Sequence, residues 1–507
     1  MTVVLDGRTL TIDDVVRVSR RYDHIELQEN ARNRVAESRK VLEELAKSRI
    51  IYGINTGFGA LSNTTIPTED LDRLQLNLIR SHSTGIGPPL PTDVTRAIMV
   101  LRANTLAKGL SGIRLPTLET LIAMINARVH PIVPERGSVG ASGDLAPLAH
   151  LALAMIGEGY AEYHGDVVSG SEALKAASIK PVQLAAKEGL ALINGTQMMT
   201  AIGALMIHDA RNLIDYAERS AAVSLEVLGG LVEAFDDRLH QARPHPGQTA
   251  SARHMVELLH DSKLVSSGEE RVLKGFHRQD PYSLRCVPQV MGAVRDSVEH
   301  ASRVIEIELN SANDNPLIFP DDRVVLSGGN FHGQPIALVL DLLCIALTTI
   351  GNIAERRIAR LLDASLSSGL PPFLALVTGK PGLSSGLMTT QCSAAALASE
   401  NKVLSHPASV DSIPTSAGFE DFVSMGPAAA LKLMRIVENV RFIVAIEFIC
   451  ASQAVETRGV ENVSSANRST HMTVRRFVPK LEVDREMSGD INRLACMLKD
   501  GNFTEIP

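Results

Sequence analysis

The strongest constraint on this chain is a set of long, largely apolar helical runs at residues 196–238, 287–309, 334–363 and 426–456. Each extends for about 20 residues or more, with little strand signal. Helices that are apolar over much of their surface pack along one another, so the runs predict a long-helix bundle. The most apolar stretch, "IALVLDLLCIALTTIGNIAERR", has the length of a membrane span. Asp341 interrupts it, and Asn352, Glu355 and Arg356 follow. The expectation is therefore a helix buried in a protein core, with no membrane partner. Compact polar loops separate the runs: "ARPHPGQ", "RQDPYSLRC", "NSANDNPL", "SGGNFHGQP" and "SIPTSAGFEDF".

Shorter elements fill the beginning of the chain. Residues 2–12 read as a hairpin turning at Asp6-Gly7, and Asp13 or Asp14 is placed to cap the next helix. "ARNRVAESRKVLEELAKSR" is amphipathic, with Val35, Leu42 and Leu45 on one face. Helical patterns resume over 69–83 and 93–128, and "YAEYHGDVVSG" reads as a second small hairpin. The predicted fold is mainly α, a long-helix bundle with small β hairpins in the N-terminal part. An N-terminal domain is expected over 1–195 and a helix-bundle domain over 196–507.

Charge and cysteine content narrow the function classes. Fifty Lys and Arg against 57 Asp and Glu give a net charge of -7. No basic excess is available to release counterions from nucleic acid, which is excluded as a main partner. The five cysteines are Cys286, Cys344, Cys392, Cys450 and Cys496. They form no CxxC pair, so neither a disulfide framework nor a cysteine zinc site is expected. His245 and His332 lie in loops whose spacing matches no standard zinc pattern, and no metal is expected. They read as structural or substrate-adjacent. The first residues lack a basic segment followed by an apolar one, so the expected location is cytoplasmic.

The loops hold the polar chemistry, but spacing alone leaves each open. "GSVGASGD" is a plain turn or a phosphate nest, and it lacks the Gly-Lys-Ser/Thr ending of a P-loop. "YGINTGFG" is a glycine turn or a site for its tyrosine. His82 in "RSHSTG" is a packed histidine or a ligand-facing one. Arg285 in "YSLRC" is an ion-pair former or an anion clamp. "NSANDNP" is a capped turn or part of a site.

Taken together, "YGINTGFG", "GSVGASGDLAPLAH", "ALINGT", "QDPYSLRCVPQ", "NDNPL" and "GGNFHG" resemble the aromatic amino acid ammonia-lyases. That family includes the histidine, phenylalanine and tyrosine lyases and the related 2,3-aminomutases. The motifs occur in family order, and the resemblance runs from about residue 1 to 500. It implies that Ala141, Ser142 and Gly143 cyclise into a methylidene-imidazolone (MIO): the Gly143 nitrogen attacks the Ala141 carbonyl and two waters leave. Glycine suits the attacking position because it has no Cβ. No external cofactor is then required.

The resemblance also implies roles for other residues. Tyr52 is the candidate base for the substrate's β-proton, which would require a phenol titrating below its usual 10. Arg285 would hold the substrate carboxylate with its planar fork. Asn194, Gln279 and Tyr282 would line and polarise the MIO, and Phe331 would pack beside it. Asp144 would assist cyclisation or cap the next helix. A homotetramer is implied, with active sites shared between subunits and a small amino acid as substrate.

Two places bear on which amino acid. Ser81-His82 matches the dipeptide of histidine lyases and of some tyrosine aminomutases. At 415–426, "TSAGFEDFVSMG" keeps the acid Glu420 of histidine lyases, where it would face the imidazole. Gly418 and Phe419 stand where that pattern has Asn-Gln, and Phe422 where it has His. The resemblance implies elimination of ammonia from L-histidine to give trans-urocanate. The alternative is a lyase or 2,3-aminomutase acting on L-tyrosine or L-phenylalanine, which the apolar Phe419 and Phe422 would favour.

Overall fold

The computed structural model describes residues 2–267, 278–376, 382–499, 501 and 503. Helices dominate, as the apolar periodicity predicts. The four longest are Gln197–Val227, Val287–Leu309, Gln334–Leu362 and Gly426–Arg458. The run predicted over 196–238 ends at Val227, just before Gly229-Gly230, because consecutive glycines do not favour the helix. Gln334–Leu362 is long and apolar enough to cross a membrane, but 72% of its most apolar window is buried inside the protein.

Two compact units divide the chain. The first contains Met1–His208, Ala301–Asp341 and Pro407–Leu431; the second contains Asp209–His300, Leu342–His406 and Lys432–Pro507. The partition therefore differs from a single cut at 195/196. It falls inside each of the four longest helices and returns two later segments to the first unit.

The first unit holds the small β elements. Thr2–Leu5 pairs in parallel with His24–Leu27, both with alternating exposed and buried residues. This corrects the hairpin expected over 2–12. Asp6 does form the turn, accepting from the Arg8 and Thr9 amides at 2.7 and 2.9 Å. The chain then enters the helix Ile12–Arg20 instead of returning. Its cap is Thr11 rather than Asp13 or Asp14. The Thr11 hydroxyl accepts from the Asp14 amide, and the Asp14 carboxylate accepts from the Thr11 amide, a reciprocal capping box.

The helix over 31–49 is found as Glu29–Ala46, with Val35, Leu42 and Leu45 buried. The pattern over 93–128 is two helices, Thr92–Ala107 and Leu115–Asn126. The predicted second hairpin is present: Tyr160–Tyr163 pairs antiparallel with Asp166–Ser169. A further hairpin, Leu317–Phe319 with Val324–Leu326, comes much later in sequence yet belongs to the same unit.

In the second unit, a buried charge ties three helices together. Glu447 accepts from Arg357 Nε at 2.5 Å and Nη2 at 2.8 Å. It also accepts from Ser220 Oγ at 2.9 Å and Ser224 Oγ at 2.8 Å. Neither Arg357 nor Glu447 is exposed. Removing one partner of such a pair strands the other charge away from water, at a cost of about 3–5 kcal/mol. Arg357→Leu should therefore lower the stability of the folded protein by that order in a denaturant titration. An unchanged midpoint would mean that Glu447 is solvated in another way.

Candidate active site

A cavity of about 930 Å³ opens in the first unit. At its edge lies the turn before the helix Leu145–Met155, and Ala141 and Ser142 border the cavity. This turn is confined by backbone on one side. Gly143 has φ +71°, and a Cβ there would lie 2.1 Å from the Gly195 carbonyl oxygen. Only glycine fits both constraints. The adjacent Asp144 amide donates to that same oxygen at 2.6 Å.

Side chains hold the rest of the turn. Ser138 Oγ donates to the Gly143 carbonyl at 3.0 Å and accepts from the Gly140 amide at 3.1 Å. Ser424 Oγ donates to the Gly140 carbonyl at 3.1 Å. Ser142 Oγ points its hydrogen to Glu420 Oε1 at 2.8 Å. The second oxygen of Glu420 accepts from Thr415 Oγ1 at 2.7 Å and Ser416 Oγ at 2.9 Å. Glu420 is thus fixed against the tripeptide itself.

Asp144 precedes the next helix but makes no side-chain cap bond. It is fully buried and accepts from the Met199 amide at 3.1 Å. Burial pushes its carboxyl up to about 7, against the opposing pull of the Met199 and Met198 amides.

His82 ends the helix Leu71–His82. Its Nδ1 lies 2.9 Å from the Leu78 carbonyl, so Nδ1 carries the hydrogen and Nε2 keeps its lone pair. Burial holds the ring below the usual imidazole range, and the Leu78 carbonyl and Glu420 act in the other direction. Ser81 borders the cavity and donates to Leu78 O at 3.2 Å. The Tyr52 hydroxyl accepts from the Gly59 amide at 3.2 Å.

The cavity therefore gathers Tyr52, Ser81, His82, Ala141, Ser142, Asn194, Phe331, Phe419 and Glu420 from widely separated parts of the sequence. Gly143 stands directly beside it. Gln279, Tyr282 and Arg285 belong to the second unit. There, Arg285 Nη1 donates to Gln279 Oε1 at 2.5 Å, and the guanidinium sits 4.8 Å from the centre of the Tyr282 ring.

His332 borders the cavity and links two of its loops. Its Nε2 donates to the Phe422 carbonyl at 3.2 Å, and its ring lies nearly parallel to that of Phe422. Sequence reasoning missed Phe58, Leu190 and Ile193, which also border the cavity. The motifs "YGINTGFG" and "ALINGT" contain or adjoin them, but apolar residues there read equally well as core.

A turn this confined, beside phenol, imidazole and carboxylate groups, suits acid–base chemistry on a small substrate. Residues 10–476 match the model of the aromatic amino acid lyase family. The chain belongs to that family. It is 52% identical over 506 residues to a histidine ammonia-lyase of Caldanaerobacter subterraneus subsp. tengcongensis, covering 99% of this chain and 98% of the relative. It is 50% identical over 499 residues to a histidine ammonia-lyase of Bacillus subtilis, covering 98% and 96%. Among solved structures it superposes on tyrosine aminomutase from Streptomyces globisporus with a TM-score of 0.96, at 40% identity over 100% of this chain and 98% of that one. Histidine ammonia-lyase from Trypanosoma cruzi gives 0.91, at 41% identity over 100% and 94%.

The position of Asp144 has a measurable consequence. Its folded value lies above that of an unfolded carboxyl near 3.9, so the folded state binds the extra proton. Its contribution falls as pH rises from about 4 to about 7, by up to about 1.4 kcal/mol per unit, and is flat above. The stability of Asp144→Asn relative to wild type should therefore rise across that window in denaturation measurements. A constant difference would remove the proton from Asp144.

Proposed function

We propose that the protein eliminates ammonia from L-histidine to give trans-urocanate, using an MIO formed from Ala141, Ser142 and Gly143. The observation that carries the substrate is the pairing of His82 and Glu420 on one cavity. His82 offers Nε2 as an acceptor for an imidazole N–H, and Glu420 supplies a carboxylate for the same ring. The curated relatives with half of their residues in common carry the same activity in their names.

The tripeptide fits the proposed group. Gly143 sits where any Cβ would collide with backbone, and the Ser142 hydroxyl borders the cavity. Once formed, the group supplies an electrophile that makes the substrate's amine a leaving group. The remaining work falls to side chains. Tyr52 takes the β-proton, with its oxygen held by the Gly59 amide. Arg285 clamps the substrate carboxylate through two parallel hydrogen bonds, and Gln279 and Tyr282 would line and polarise the MIO. Asn194 lines the reacting centre, and Phe331 packs beside it.

We read the assembly as a cytoplasmic homotetramer in which neighbouring subunits complete each site. Three exposed aromatic rings support this: Tyr282 at 71%, Phe419 at 60% and Phe422 at 60%. Rings this large and apolar gain from being covered by a neighbour.

The second reading is a lyase or 2,3-aminomutase for L-tyrosine or L-phenylalanine. Phe419 and Phe422 favour it, since they give the cavity an apolar edge. Ultraviolet absorbance of the protein with L-His, L-Tyr and L-Phe in separate incubations distinguishes the two. Growth of the urocanate band with L-His alone is expected. Growth with L-Tyr or L-Phe instead would make the two phenylalanines decisive. Glu420→Gln should reduce turnover of L-histidine more than any turnover of L-phenylalanine, and equal losses would remove the imidazole role of Glu420.

A further inference from the structure

We propose that Asp314 is the positioning residue that sets the orientation of the Asn194 carboxamide, and that Lys187 holds Asp314 in place for it. The inference rests on the reading above, in which Asn194 acts at the site. It starts from the short helix Glu188–Ile193, which has Lys187 as its N-cap and Asn194 as its C-cap. Lys187 adopts a left-handed conformation, φ +75°, and its side chain is completely buried. Its Nζ donates to Asp314 Oδ2 at 2.7 Å. The other Asp314 oxygen accepts from Asn194 Nδ2 at 3.3 Å and from the Asn315 amide at 2.6 Å. One carboxylate therefore braces both ends of the helix.

The brace determines which way the Asn194 amide faces. Asn194 Nδ2 also donates to the Asn315 carbonyl at 3.1 Å. Both neighbours of that nitrogen are acceptors. The flipped amide would set an oxygen against two oxygens, so one orientation alone satisfies the partners. Among the described residues, Asn194 Oδ1 is then left without a protein partner, on a residue only 3% exposed that borders the cavity. A buried acceptor without a donor is costly. This oxygen is free to take an N–H from whatever occupies the cavity. The backbone of Asn194 is fixed separately, since Arg102 Nη1 donates to its carbonyl at 2.9 Å.

Aspartate is required at 314 because it has no hydrogen to give. An asparagine there could donate to Asn194 and let its amide turn over. Lys187 supplies the cation that keeps the carboxylate in this buried place, away from water.

The test uses the full-length protein with L-histidine, measuring kcat, KM and the thermal midpoint for three variants. Asn194→Ala tests the underlying reading and should nearly abolish turnover. Asp314→Asn should lower kcat about 10–100-fold, the usual scale for a group that orients a reacting side chain, with a smaller change in KM. Asp314→Glu keeps a carboxylate beside Asn194, an acceptor with no hydrogen to give. It should regain at least about tenfold of the loss in kcat, on that same scale. If Asn194→Ala is inactive and Asp314→Asn keeps wild-type kcat, the inference is overturned and the reading stands. If Asn194→Ala is fully active, the reading itself falls. Should Asp314→Asn fail to fold, Asp314→Glu decides: folded but inactive, it overturns the inference. Equal kcat losses in Asp314→Asn and Asp314→Glu would reduce Asp314 to a structural role and overturn it as well.

Discussion

The site depends on a close meeting of two backbones. Gly143 and Gly195 pair across a parallel bridge, and neither position has room for a side chain. At Gly143 a Cβ would strike the Gly195 carbonyl; at Gly195 it would lie 2.5 Å from Gln197 Oε1 and 2.6 Å from Arg102 Nη1. Gly195 follows the C-cap of one helix and lies just before Gln197, where the long helix to Val227 starts. The bend that carries Ser142 is thereby fixed by main-chain atoms, which have far less freedom to relax than side chains.

Polar groups that would be costly elsewhere surround this contact. Arg102, Asp144, Lys187, Asn194, Gln197 and Asp314 are all buried. Arg102 Nη1 and Gln197 Nε2 meet partners at 2.9 and 2.8 Å, in Gln197 Oε1 and Asn313 Oδ1 respectively. Such a network adds little net stability over an apolar core, because desolvation offsets much of the attraction. Its effect is to leave each group one orientation, and low polarity around them strengthens every remaining interaction. The site is therefore pre-organised before a substrate arrives.

Much of this was legible in the sequence, for reasons specific to each element. The long helices follow from apolar periodicity: the run read to 363 ends at Leu362, within the range expected of such boundaries, whereas the run read to 238 stops at Val227, before Gly229-Gly230. The 2–12 hairpin misread had a clear origin. Asp6-Gly7 is a true turn, but alternation at 2–5 finds its partner at 24–27, and local pattern cannot choose between near and distant strands. The division into units was hidden because each one is assembled from three separated segments. Tyr52, His82, Ser142 and Glu420 were visible only through the family resemblance, and the fold brings them to one cavity. Asp314 stood in the motif "NDNPL", but nothing in the sequence pointed to Lys187 as its partner: a lysine and an aspartate 127 residues apart become a pair only in three dimensions.

The central claim is that the confined turn at 141–143 reacts with itself. The most direct measurement is the mass of the proteolytic peptide spanning Ala141, Ser142 and Gly143, compared between wild type and Ser142→Ala. The account predicts a wild-type peptide lighter than its sequence by two waters, while the variant peptide keeps the two waters lost from the wild type. A wild-type peptide of full sequence mass, from protein that is active, would contradict it.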